Sequence, residues 1–84
     1  GESRLDIAFN LALKRLIFYQ KLEADRLNEF YKDRYKTSFN DFEKKWTAGQ
    51  IKDKYSYQIE TDYAEWETSI TDLKKIKEIE KWLI

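Results

Sequence analysis

Residues 4 to about 35 contain neither glycine nor proline, and their apolar positions recur at helical spacing. Leu13, Ile17, Gln20, Ala24, Leu27 and Tyr31 step by four, three, four, three and four, the alternation of a coiled-coil seam. Leu16, Glu23 and Phe30 flank that seam. A helix of about 32 residues is ~48 Å long at 1.5 Å per residue. So long a helix cannot find its whole partner surface in a compact globule, and the pattern asks for a second long helix. That helix is predicted from about Ser56 to Leu83, where Ile59, Tyr63, Trp66, Ile70 and Leu73 step four, three, four, three and Ile76, Ile79 and Leu83 continue the row. Its other side is charged: Lys74 and Glu78 are four apart, and Asp72–Lys75, Lys77–Glu80 and Glu78–Lys81 are three apart. Such pairs are worth only about 0.2–0.5 kcal/mol each, so they mark a solvated face.

Between the two rows the pattern resets. Ser38 with Asp41 three residues on has the form of a capping box, aspartate standing in for glutamate. Phe39, Phe42 and Trp46 then share one side of a short helix over about 39–48. Gly49 follows, where a helix commonly ends on a left-handed residue. Phe42, Trp46, Gly49, Tyr63 and Trp66 are therefore expected to form a hinge with an aromatic core. The fold class expected is all-α: one domain over 1–84, a long antiparallel helical hairpin with a short capped helix at the turn. Two such hairpins are expected to dimerise into a four-helix bundle.

The front of the first helix carries a surplus. From Leu5 to Tyr19, eleven of fifteen residues are apolar and cover more than one face. A single hairpin partner covers only one face, so the rest calls for a second subunit or another protein. Leu5, Phe9, Leu13, Leu16, Ile17 and Phe18 are the residues expected at that interface. A membrane-surface helix would need a strongly cationic polar face, whereas Asp6, Asn10, Lys14, Arg15 and Gln20 are few and mixed.

Composition narrows the chemistry. Sixteen basic residues balance sixteen acidic ones, so there is no overall pull toward phosphate and nucleic acid is not an expected partner. Lys44, Lys45, Lys52 and Lys54 near the turn, and Lys14, Arg15, Lys21 and Arg26 on the first helix, are interleaved with acids and apolar positions. Aromatics at 17% and hydrophobics at 42% are too many for a disordered tail. Cysteine is absent, which suits a reducing compartment. No signal-peptide pattern or membrane-length apolar run is present, so the cytoplasm is expected.

Histidine is absent too. That removes the commonest general base, the Ser-His and Cys-His nucleophiles, and the Glu-x-x-His ligands of di-iron bundles. Both glycines are isolated, so no phosphate-cradling loop exists. The remaining candidate is the acidic group of Asp62 and Glu65, with Asp53, Glu60 and Glu67 nearby. Paired carboxylates can hold Mg²⁺ or Ca²⁺, or divide acid and base roles, which makes a carboxylate-dependent metal-binding protein or enzyme the alternative reading. Acids near a helix start, with aromatics at 3.6 spacing, read first as dipole complement and core. No catalytic residue, cofactor or metal is expected.

One further signal is a resemblance. The stretches "FYKDRY", "SFNDFEKKW", "AGQIKDKYSY", "ETDYAEWE" and "KWL" place Tyr35, Phe42, Gly49, Asp62 and Trp66 in an order that no helical rule demands. Over Phe30 to Leu83, about two thirds of the chain, this resembles a group of small uncharacterised helical proteins of archaea and bacteria. They are described as antitoxin-like and are encoded beside toxin-like genes. Thr47 departs from that pattern, being β-branched where such proteins usually carry a charge. The resemblance implies a helical hairpin and a toxin-like protein partner. It implies no catalytic residue. A typical antitoxin also carries a ribbon-helix-helix or helix-turn-helix module, and neither pattern is visible here, so autoregulation on DNA is not expected.

Overall fold

The computed structural model describes residues 4–82. They form three helices and no strand: α1 (Arg4–Tyr35), α2 (Phe39–Thr47) and α3 (Tyr57–Glu80). Leu83, the last member of the expected seam, lies outside the described residues. The class is all-α, and among the described residues no helix is long and apolar enough to cross a membrane.

Each boundary has a local cause. α1 stops where Lys36 takes a left-handed φ of 55°, and Ser38 then starts α2 by accepting the Asp41 N–H on its Oγ at 3.2 Å. α2 ends in the arrangement that a left-handed glycine permits. The Gly49 N–H donates to the Trp46 carbonyl and the Gln50 N–H reaches back to the Lys45 carbonyl at 2.8 Å, while Gly49 holds φ at 71°. Thr47 Oγ1 donates to the Glu43 carbonyl, so the β-branched residue is accommodated within the last turn. Ser56, expected to open the last helix, is instead its N-cap; its Oγ accepts the Ile59 N–H at 3.3 Å.

The long helices lie side by side. Tyr35 meets Asp62, Asn28 meets Trp66 and Lys21 meets Glu80, so α1 and α3 run in opposite senses along this contact. The seam residues Ile17, Ala24, Tyr31, Trp66 and Ile76 are buried, and Leu13, Leu27, Ile59, Tyr63, Ile70 and Leu73 are half-buried. Ala24 and Ser69, both nearly fully buried, put small side chains on the facing sides. The spare hydroxyl of Ser69 donates to its own helix, at the Trp66 carbonyl 2.7 Å away. Because α3 closes on α1 at Lys21–Glu80, the first turns of α1 run on past the end of α3. The molecule is correspondingly elongated, 58 × 19 × 18 Å.

Candidate interaction surface and the buried carboxylate

The two ends of the molecule differ in chemistry. At the α2 end, Tyr31, Phe39, Phe42 and Trp66 form the buried cluster, with Leu27, Tyr35, Trp46, Ile51, Ile59, Tyr63 and Ile70 packed against it. Trp66 is 0% exposed, and its ring lies within 5.2–5.9 Å of Phe42, Phe39, Tyr31 and Tyr35. Its Nε1–H donates to Asn28 Oδ1 at 2.9 Å, which satisfies the buried indole. Trp46 stacks on Tyr63 at 4.3 Å. Lys54 closes that edge: its Nζ donates to the Trp46 carbonyl and lies 5.1 Å from the centre of the Trp46 ring. The expected aromatic core thus comes together, Phe42 and Trp66 buried, Trp46 and Tyr63 half-buried, with Gly49 at the turn.

Asp62 sits against this cluster and is itself 2% exposed. Three donors converge on it. Tyr35 Oη donates to Oδ2 at 2.5 Å, Gln58 Nε2 donates to Oδ1 at 2.9 Å, and Arg34 Nη1 lies 3.3 Å from Oδ2. Both oxygens are therefore engaged by the chain's own groups. Glu65, the other half of the candidate metal pair, is exposed. Among the described residues no group of three or more acidic side chains is placed to share an ion. Asp62 works here as a clamp between α1 and α3, and carboxylate chemistry at this place would first have to break that clamp.

Burial governs the phenols around it. Tyr31, Tyr35 and Tyr63 are each pushed up to about 12. Desolvation is the largest cause in all three, followed by the negative charge of Glu65 for Tyr31 and hydrogen bonds to Asp62 for Tyr35 and to Glu43 for Tyr63. These groups stay protonated across the range in which general bases operate, and they serve as hydrogen-bond donors.

The opposite end is apolar and open. Leu5 is 79% exposed, Phe9 67%, Phe18 58% and Leu16 54%. Two other residues of the expected interface are placed differently. Ile17 is buried within the chain and Leu13 is half-buried. Both belong to the seam, Ile17 with its surface already covered and Leu13 with part of it, so the interface set divides into four exposed residues and two that are wholly or partly covered. Ile7, Leu11 and Leu22 are also exposed, each by about half or more of its surface. Their four-seven-four spacing with Phe18 is the signal that would have found them. Three of the basic groups considered for a patch are engaged within the chain: Arg26 pairs with Glu23, Lys21 with Glu80, and Lys54 donates to the Trp46 carbonyl. Of the pairs expected along α3, Glu78–Lys81 forms at 3.0 Å, while Glu80 turns across to Lys21 at 3.5 Å. The concavity at the turn is lined by Ile51, Asp53, Lys54, Tyr55, Ser56 and Gln58 among others.

No family model, no curated protein and no solved structure matches this chain.

Proposed function

We propose that the protein is a non-catalytic protein–protein interaction module. In this reading it is a helical hairpin that pairs with a second copy into a four-helix assembly, and it acts as the antitoxin-like partner of a second small protein. The observation that carries the proposal is the front of α1, which runs past α3 with Leu5, Phe9, Leu16 and Phe18 more than half exposed. Burying one such side chain fully is worth about 1.5–3 kcal/mol, so leaving several in water is costly enough to drive association. The antitoxin-like role of this protein rests on the resemblance over Phe30 to Leu83.

The absence of histidine and cysteine and the use of Asp62 as an internal clamp support a binding role over a catalytic one. Phe9→Asp and Phe18→Asp are expected to lose the second copy or the second protein while staying helical. Light scattering measures the first, and pull-down with the co-expressed product of the neighbouring gene measures the second. Circular dichroism checks that the fold survives. If both variants match wild type in both assays, the assignment of this surface is wrong.

A further inference from the structure

Seven exposed large aliphatic and phenylalanine side chains along the front of α1 fall into two sets, with the exposed Tyr19 on the flank between them. At 100° per residue, Leu5, Phe9 and Leu16 lie beside the seam that faces α3. Ile7, Leu11, Phe18 and Leu22 form a separate stripe, confined to an arc of about 60° and centred roughly 145° around the helix from that seam. The structure leaves these four 47%, 60%, 58% and 51% exposed.

The stripe has an internal symmetry. Reflected through the midpoint between Lys14 and Arg15, Ile7 exchanges with Leu22 and Leu11 with Phe18, because the spacing is four, seven, four. Arg4 and Asp25, which lie on the same face just beyond the apolar positions, exchange with each other. They carry opposite charges.

From this we infer that α1 pairs with α1 of a second copy, antiparallel, about a two-fold axis between Lys14 and Arg15. An isologous contact requires that residue i meet j and j meet i, and this stripe is written that way; a different protein would have no need of it. Arg4 of each copy then meets Asp25 of the other at both ends of the contact. Four side chains with about half their surface exposed supply roughly 400 Å² per copy. With the stems of the flanking basic residues, the pair reaches about the 1,000 Å² that a specific interface needs. One term opposes pairing, the approach of Lys14 and Arg15 to their mates across the axis.

The inference rests on the self-association part of the proposed function and adds its geometry. Since stripe and seam lie nearly on opposite sides of α1, the assembly is a row, α3–α1–α1–α3, in place of a square bundle. It leaves Leu5, Phe9 and Leu16 uncovered for the second protein.

The chain contains no cysteine, which makes cross-linking clean. Arg4→Cys and Asp25→Cys proteins are mixed in equal amounts and oxidised mildly. The inferred register gives a covalent heterodimer in the mixture and little product from either protein alone, since in that register like positions are ~32 Å apart. Leu11→Asp becomes monomeric by sedimentation equilibrium with its helicity unchanged. Arg15→Glu, which puts a carboxylate opposite Lys14 of the second copy, tightens the dimer at least several-fold. A dimer that cross-links through Arg4→Cys alone, or that survives Leu11→Asp but not Phe9→Asp, overturns this geometry and leaves the proposed function standing. A wild-type chain that stays monomeric at millimolar concentration overturns both this geometry and the self-association.

Discussion

Replacing Asp62 with asparagine tests how the α2 end is held together. The carboxylate is 2% exposed and receives Tyr35, Gln58 and Arg34. Asparagine keeps the shape and one acceptor oxygen, but its amide presents donors to groups that are themselves donors. Tyr35 can turn its hydroxyl to accept; Arg34 and the Gln58 amide nitrogen have no acceptor to offer there. Removing one member of a buried ion pair costs about 3–5 kcal/mol. Arg34 is 42% exposed on its side chain and can recover water, which lowers the expected loss to about 2–3 kcal/mol.

That loss is large for a chain of 84 residues, whose whole stability is expected at about 4–13 kcal/mol. It corresponds to a fall in Tm of roughly 10–20 °C. Urea melts at pH 7, followed by tryptophan fluorescence and by circular dichroism, measure it directly. Tyr35→Phe alone should cost about 1 kcal/mol, and the double variant should fall short of additivity by about 1 kcal/mol or more, because both changes break the same contact. An Asp62→Asn protein within 0.5 kcal/mol of wild type, or strict additivity with Tyr35→Phe, would refute the clamp.

Three further outcomes follow from other parts of the fold. Gly49→Ala meets no atom within 4 Å but must hold a φ of 71°, so it should lower stability by about 1–2 kcal/mol from backbone alone, with Gly49→Asn losing less. Lys36, a non-glycine residue at φ 55°, is the reverse case, and Lys36→Gly should raise the urea midpoint by the equivalent of about 0.5–1 kcal/mol. Tyr31, Tyr35 and Tyr63, raised from 10.0 to about 12, hold protons in the folded state that the unfolded chain releases. Their contribution is therefore whole below pH 10 and lost as pH rises through about 12; the urea midpoint should fall across that window, and Tyr63→Phe should make the fall shallower.

Periodicity made most of the architecture legible. The three helices appear close to where the four-three alternation and the caps at Ser38 and Gly49 place them, because those signals are local and act within one turn; the cap at Ser56 is seen only in the structure. The seam also identified Trp66, Tyr31 and Ala24 as inward-facing. The role of Asp62 was not legible. An aspartate among charged neighbours looks solvated, and two of its three donors, Arg34 and Tyr35, come from α1, 28 and 27 residues earlier in the chain. Only Gln58, four residues away on the same helix, could have been seen. The fate of Ile17 depended on stagger as well. A continuous seam does not say how far two helices slide past each other; that is decided at the turn, where α2 and the 48–56 loop determine where α3 begins.

The two ends of the molecule divide the work between them. At the α2 end, stacked rings, a satisfied indole and a buried carboxylate with three donors determine one arrangement of α1 against α3, since each polar group there is costly if any other arrangement leaves it unpaired. Among the described residues no comparable buried cluster holds the first turns of α1, whose residues from Arg4 to Ala12 are all exposed. A helix of nine residues is only marginal in water by itself; this one persists as the continuation of a longer helix whose other half is anchored. Anchoring one half of a helix is an inexpensive way to present the other half in a binding-ready conformation, because much of the backbone entropy that a free peptide would lose on binding has already been lost in folding. On the proposed function, the aromatic cluster would serve recognition at a distance: by fixing the rear of α1, it keeps the apolar front extended and helical.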